Sequence, residues 1–283
     1  MLKHMLLGGR RNDDSWVAAT LGGSGRDIGS SVAVAPDGSV YVCGYTGSAG
    51  AGSTDLLLAK FSSSGAVQWQ KTLGGSKHDY GYSVAVASDG SVYVCGYTES
   101  VGVGRADLLL AKFSSSGTVQ WQKTLGGSSQ EYCNSVAVAP DGSVYVCGYT
   151  ESAGAGSIDF LLAKFSSSGT VQWQKTLGGS NYDYGISVAV APDGSVYVCG
   201  NTGSAGAGYE DLLLAKITDF LVGKDIVTFG SFTFQDASLT SKNVSLTNTS
   251  SILSVSNANL TVETSSLTVG TPSLTTNLYT YKE

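Results

Sequence analysis

The chain has 283 residues, of which 42% are hydrophobic and only 13% are charged, with a net charge of −6. Its Lys and Arg residues form no cluster, which argues against a nucleic-acid-binding protein, and no apolar stretch is long enough to cross a membrane as a helix. The 38 glycines and the abundant Ser and Thr favour an all-β protein with many tight turns.

The N-terminal segment contains two short stretches, Met5–Leu7 and Ser15–Thr20, that look like a degenerate copy of two strands found later in the chain. Its apolar stretch is too short for the hydrophobic region of a secretory signal. We therefore expect synthesis in a cytoplasm without a signal peptide.

A 52-residue unit then occurs four times without gaps, and L-G-G-S begins it at Leu21, Leu73, Leu125 and Leu177. Each copy continues with S-V-A-V-A, an Asp-Gly-Ser turn, V-Y-V-C-G and L-L-L-A-K. A period of this length indicates several copies of one supersecondary unit.

The copy that begins at Leu73 predicts four antiparallel strands and no helix. Ser83–Ala87 is rich in β-branched residues, and an Asp-Gly turn joins it to Val92–Tyr97, which is apolar on both faces. Leu108–Phe113 and the alternating segment Val119–Gln122 complete the unit. Four-stranded sheets repeated in this way predict a β-propeller.

We predict four blades within residues 1–220, with Leu212–Ile217 left over as a strand that closes the ring beside the weak N-terminal strand. Five blades are the alternative, if 225–229 and the N-terminal strands cooperate.

The segment Gly75–Thr98 and its equivalents, covering residues 21 to about 217, resemble the bacterial β-propeller repeats called SBBP repeats. The resemblance implies a propeller fold and says little about activity, because the family occurs in surface, secreted and phage proteins. Cys95 and its equivalents stand where Thr is more usual.

The tail has a second period, since leucines recur every seven residues from Leu239 to Leu274. Ser, Thr and Asn between them, together with Pro272, argue against a coiled coil and favour short strands. A strand that bends at each repeat predicts a β-stalk over 221–283. We expect a trimeric β-helix or prism of the kind seen in phage spikes, with a single-chain solenoid as the alternative.

Differences between the copies concentrate in the loop after L-G-G-S and in the loop represented by 47–54. Varied Tyr, His and charged side chains on a rigid frame are typical of a binding surface. The candidate binding residues are Arg26, Asp27, His78, Asp79, Tyr80, Tyr82, Glu131, Tyr132, Tyr182, Asp183 and Tyr184. The acid that recurs in every copy is expected to hydrogen-bond the backbone of its own loop rather than a ligand.

Other repeated residues are assigned structural roles. We expect the five cysteines to be buried without disulfides, Trp69 and its equivalents to pack between blades, and Lys60 and its equivalents to be charges at blade edges. We predict no catalytic residue, metal site or cofactor, because the two His residues have no partner at metal-ligand spacing and the Gly-rich loops lack the G-K-[ST] ending of a phosphate site.

These features together predict a phage virion protein, either a tail fibre, a spike or a capsid-surface fibre, that serves attachment or structure. The expected partners are two further copies in a homotrimer, other virion proteins and a host-surface glycan or protein, without nucleic acid or membrane. A bacterial surface or secreted adhesin is the alternative. A propeller enzyme acting on polysaccharide, with paired carboxylates from different blades, is the third class.

Overall fold

The computed structural model describes residues 19–206, 208–218, 222, 226–229, 231–244, 246–250 and 254–257, with only the backbone of 226–229, 247–250 and 254–257. These ranges contain 21 β-strands, and Val222 is helical. Within the same ranges no helix is long and apolar enough to span a membrane.

The repeats form a four-bladed propeller of antiparallel sheets, as the sequence predicts. The strands of the first blade are β2 (Asp27–Val34), β3 (Val40–Thr46), β4 (Asp55–Phe61) and β5 (Val67–Gly74), preceded by β1 (Ala19–Gly22). Those of the second are β6 (Asp79–Val86), β7 (Val92–Thr98), β8 (Asp107–Phe113) and β9 (Val119–Gly126). Those of the third are β10 (Glu131–Val138), β11 (Val144–Thr150), β12 (Asp159–Phe165) and β13 (Val171–Gly178). The fourth blade has three strands, β14 (Asp183–Val190), β15 (Val196–Thr202) and β16 (Asp211–Ile217).

The Asp-Gly turn forms the hairpin that the sequence predicts. In the second blade, Gly90 adopts a φ of 81° and its amide donates to the Ala87 carbonyl at 3.0 Å. The Asp89 carboxylate accepts from the Ser91 amide at 2.8 Å. Glycine suits this position because a side chain there would be strained.

Three hydrophobic cores lie at the three junctions between consecutive blades. At the first junction Leu56 and Leu58 of β4 pack with Val84 of β6. The Trp69 indole N–H also donates to the Ser115 carbonyl of the next blade at 3.1 Å, so the predicted packing of Trp between blades is confirmed here. The cysteines are unpaired, and all but the half-buried Cys199 are buried.

The tail contributes five strands, β17 (Ile226–Phe229), β18 (Phe232–Asp236), β19 (Thr240–Asn243), β20 (Thr247–Ser250) and β21 (Ser254–Asn257). Four of them add to the outer strands of the propeller, because β18 pairs with β13, β19 with β9, β20 with β5 and β21 with β1. The register is constant, since Thr233, Thr240, Thr247 and Ser254 lie opposite Gly178, Gly126, Gly74 and Gly22. Seven residues of tail therefore correspond to one blade, and the tail passes the blades in reverse order.

The seven-residue leucine period places one apolar side chain in each junction core. Phe232, Leu239 and Leu246 are all buried, and each belongs to a different core. The Gln122 side chain holds the same segment, since it accepts from the Leu246 amide at 2.8 Å and donates to the Leu246 carbonyl at 3.2 Å. The tail thus ties neighbouring blades together.

Three expectations need correction. The described residues between 232 and 257 do not form a separate stalk, because β18, β19, β20 and β21 each pair with a strand outside the tail. Within the described ranges the predicted closure of the ring by β16 is not found, since β16 pairs with β15 while β1 pairs with β21. Ile226–Phe229 extends the third blade and begins no fifth one. Met5–Leu7, Ser15–Ala18 and the rest of the predicted stalk lie outside the described residues.

The repeated lysines are also placed differently from the prediction. Lys60 lies on β4, which has neighbours on both sides, and its ammonium is 5.3 Å from the centre of the Tyr41 ring. Lys112 and Lys164 repeat this cation–π contact with Tyr93 and Tyr145. These lysines cover aromatic side chains instead of protecting a free edge.

Candidate binding surface

The recurring acid of each blade is bound to its own loop, as expected from the sequence. Asp79 is fully buried, and its Oδ2 accepts from the Gly75 amide at 2.8 Å and from Ser100 Oγ at 2.7 Å. Asp183 makes the same contacts with Gly179 and Ser204.

The two remaining members of this set behave alike. Glu131 accepts from the Gly127 amide and from Thr150 Oγ1. Burial opposes ionisation of Asp27, but hydrogen bonds from Thr46, Gly23 and Ser48 outweigh burial and lower the pKa of its carboxyl. The four acids therefore hold loops in place, and within the described ranges Asp79 Oδ1 and Asp183 Oδ1 are buried without a hydrogen-bond partner.

A second acid is the first residue of the third strand of each blade and has a similar role. Asp107 is buried and accepts from the amides of Val103 and Gly104 at 3.1 Å. Burial raises the pKa of its carboxyl, and it raises the pKa of Asp55 and Asp159 in the same way. These acids order the loops represented by 47–54.

The candidate tyrosines belong to a continuous row of six rings, here called the tyrosine row: Tyr45, Tyr80, Tyr97, Tyr132, Tyr149 and Tyr184. Successive ring centres are 4.6, 4.8, 4.5, 4.9 and 5.0 Å apart, and the rings alternate between stacked and edge-on contacts. The row crosses all four blades near the loops that follow L-G-G-S.

Cross-strand pairing and blade packing together create this row. Tyr80 lies directly opposite Tyr97 in the sheet of the second blade, so their rings stack. The inner strand of the next blade then brings Tyr132 against Tyr97. The row ends where the repeat departs from tyrosine, at Ile28 in the first blade and Asn201 in the fourth.

Five of the six tyrosines are half-buried and Tyr97 is buried, so the row is only partly exposed to a ligand. Burial raises the pKa of Tyr97, Tyr132, Tyr149 and Tyr184 above the ordinary value of 10.0, so these phenols are neutral at physiological pH. Neutral phenols both donate and accept hydrogen bonds.

The remaining candidates lie around the row. The Tyr182 ring is 47% exposed and stacks on Tyr184 at 6.4 Å. Tyr82 lies 5.7 Å from Tyr97, and the His78 ring lies 6.0 Å from Tyr80. Arg26 is exposed on the first loop, where only its carbonyl has a described partner, the Gly47 amide.

Tyr45, Tyr97 and Tyr149 were missed as candidates because they are identical in three copies and look like ordinary strand residues. The signal that finds them is the hairpin register, which places each opposite the variable residue after the recurring acid.

A polar network borders the row in the third blade. The Tyr132 hydroxyl donates to Gln130 Oε1 at 2.6 Å, and Gln130 Nε2 approaches both carboxylate oxygens of Glu151 at 3.3 Å. Ser129 Oγ donates to Glu151 Oε2 at 2.7 Å. Donors and acceptors beside aromatic rings are what a polar ligand with some apolar surface requires.

No group of three or more His, Cys, Asp and Glu side chains in the described ranges has the arrangement of a metal site. At the other end of the strands, an open depression of about 320 Å³ is lined by small and apolar residues such as Val86, Val138 and Val190. The tyrosine row is therefore the richer candidate surface.

A profile of a β-propeller domain of unknown function (DUF5122) matches residues 35–67 and 139–171, two equivalent segments of the first and third blades. The chain is 29% identical over 185 residues to the regulatory protein FlaEY of Caulobacter vibrioides. That match covers 54% of this chain and 19% of FlaEY, so the chain spans about a fifth of this relative's length. A crystal structure of a Bacteroides caccae protein of unknown function is similar at 8% identity, with a TM-score of 0.35 and coverage of 71% of this chain and 66% of that one.

Proposed function

We propose that this protein is a binding protein, without a catalytic role, whose tyrosine row binds an elongated glycan of a bacterial cell surface. The observation that carries the proposal is the uninterrupted row of six tyrosines across four blades. Tyrosine offers a large contact area and a polar tip at small entropic cost, and the rigid blades fix the spacing of the rings.

The polar groups beside the row support a glycan as the ligand class. Gln130, Tyr132 and Glu151 supply donors and acceptors along one side, and Tyr182 and His78 extend the aromatic surface towards the loops. A glycan chain presents alternating hydroxyl groups and apolar ring faces, which such a surface can match.

The setting that we propose is a phage virion, with a bacterial surface adhesin as the alternative. The resemblance to SBBP repeats supports both. The described tail strands no longer support a spike in particular, because they pair with the propeller. FlaEY is named a regulatory protein, and its similarity covers 54% of this chain, so a regulatory role enters only as a further setting for the same binding surface.

Glycan binding is tested with the purified full chain on an array of bacterial envelope polysaccharides. The test variant is Tyr80→Ile with Tyr132→Ile, because the first blade folds with Ile28 at the same position. We expect at least a tenfold loss of binding. The control is Ser88→Ala, an exposed change at the other end of the strands, which should bind like the unchanged chain. Equal binding by the double variant and the control would contradict the proposal.

The setting is tested separately, by mass spectrometry of phage particles purified from an induced host that carries the gene. Peptides of this chain in stoichiometric amount are expected. Their absence from particles and presence on host envelopes would favour the adhesin.

A further inference from the structure

The two ends of the propeller carry apolar residues that are buried at every internal junction. Leu212 and Leu214 of the fourth blade are 81% and 69% exposed, whereas their equivalents Leu56 and Leu58 are fully buried. At the other end Val32 is 63% exposed, whereas its equivalent Val84 is 6% exposed. The terminal units of repeat proteins normally have polar outer faces, and these do not.

The fourth blade has fewer strands than the others, and two strands at the other end of the propeller belong to no blade. Each of the first three blades has four of its own strands and at least one tail strand on the outside. The fourth blade has three strands, and within the described ranges no further strand pairs with β16, while β1 and β21 form a separate two-stranded sheet. Since β1 is equivalent to β5 and β21 to β20, the two-stranded sheet is the outer part that the fourth blade lacks.

Gly22, at the end of β1, lacks the close aspartate that its equivalents in the blades have. A Cβ added to Gly126 would lie 1.6 Å from Asp107 Oδ1, and one added to Gly74 would lie 1.7 Å from Asp55 Oδ1. The nearest atom to a Cβ on Gly22 is instead Asp27 Oδ2 at 3.0 Å. By the repeat, the residue that corresponds to Asp55 and Asp107 for this glycine is Asp211.

We propose that two copies of this chain associate head to tail, with the β1–β21 sheet of each copy completing the fourth blade of the other. By analogy with Leu73 opposite Leu56, the interface places Leu21 of one copy opposite Leu212 of the other. Val32 and the strand β2 then cover Leu212 and Leu214, as Val84 and β6 cover Leu56 and Leu58.

A second copy fits these ends better than closure within one chain. Leu212 and Leu214 are exposed, so the three existing junctions do not bring the first and fourth blades together. Two copies supply a partner for both ends, and their eight blades lie within the range of known propellers. A head-to-tail contact must close a ring or grow into a filament, and two copies are the smallest closed ring.

The junction is tested by cysteine cross-linking of two differently tagged full-length chains that are co-expressed, one with Leu21→Cys and the other with Leu212→Cys. Opposed residues of neighbouring strands lie within the distance that a disulfide spans. We expect a covalent product that contains both tags on a non-reducing gel. Co-expression of the Leu212→Cys chain with an unchanged partner is the control and should give none, which excludes reaction through the native cysteines.

A chain with both substitutions distinguishes the two modes of closure. Cross-linking within a single chain, at the mass of a monomer, would show that four blades close on themselves and would overturn the proposal.

Native mass spectrometry of the unchanged chain gives an independent reading. We expect twice the 29.0 kDa of one chain, and conversion to monomer in Leu212→Lys with Leu214→Lys, which alters side chains that are exposed in the single copy. Tyr209→Lys, at a residue that is 87% exposed in the neighbouring loop, should remain a pair. A monomer in the unchanged chain, or the homotrimer predicted from the tail period, would overturn the closed pair. Neither result bears on glycan binding, which is measured separately.

Discussion

Within the blades each strand pairs with its neighbour in sequence, whereas the tail strands pair with strands far away in the chain. Leu56 lies opposite Leu73 on the next strand, but Ser254 lies opposite Gly22. The two regions nevertheless share one repeat geometry. Tail residues that are seven positions apart lie opposite blade residues that are 52 positions apart. The comparison shows that a short period can be imposed by the partner surface rather than by the segment's own fold.

The largest effect is expected from a change inside a single blade. Gly126→Ala would place a methyl group 1.6 Å from the buried Asp107 carboxylate, which must then move away from the amides it binds. We expect a loss of roughly 3 kcal/mol or more in the free energy of unfolding, measured by denaturant titration. The control Gly208→Ala meets nothing closer than 3.8 Å, and an equal loss there would contradict the packing argument.

The next prediction compares a leucine-to-alanine substitution in a blade with the same substitution in the tail. Leu110→Ala removes a fully buried side chain from a blade and should cost about 2–5 kcal/mol of global stability. Leu246→Ala removes an equally apolar side chain from the tail, which can detach while the blades stay folded.

Hydrogen exchange distinguishes the two outcomes. In Leu246→Ala we expect lost protection in Thr247–Ser250 and in its partner β5, with little change in β7 and β8. If exchange in Leu246→Ala instead proceeded through global unfolding at the same rate as in Leu110→Ala, the tail and the blades would form one cooperative unit.

A smaller effect is expected from the side chain that holds the tail backbone. Gln122→Ala leaves the Leu246 amide and carbonyl without this partner and should cost about 1–2 kcal/mol. The matched control is Gln120→Ala, two residues earlier on β9 and exposed, which should change stability by less than about 0.5 kcal/mol. Thermal unfolding of the two variants side by side makes the measurement.

The blades could be predicted from the sequence because their pairing is local. The Asp89-Gly90 turn fixes a hairpin, and the continuous apolar segment Val92–Tyr97 identifies an inner strand by its composition alone. The role of Asp79 was also predictable, since an acid repeated in every copy serves the frame rather than one ligand.

The tail and the row could not be predicted in the same way. The spacing of Leu239 and Leu246 is equally compatible with a prism of tail strands, and nothing local specifies that their partners are β9 and β5. The tyrosine row likewise could not be predicted, because it depends on how one blade packs on the next. That packing places Tyr97 against Tyr132, and the sequence alone does not show it.

The smallest predicted effect is electrostatic and again joins the tail to a blade. Burial raises the pKa of Asp107, while the positive charge of Lys242 on β19 partly opposes that shift. Lys242→Gln should therefore raise the pKa of Asp107 further, as followed by NMR titration of the carboxyl carbon. A carboxyl whose pKa is higher in the folded than in the unfolded state loses stability as the pH rises above its ordinary value of 3.8, so the variant should lose more stability than the unchanged chain between pH 4 and neutrality. Asp55 and Asp159 have an aspartate nearby instead of a lysine, so their titrations are internal controls that should not respond. An unchanged Asp107 titration in Lys242→Gln would show that β19 does not hold its lysine against the second blade in solution.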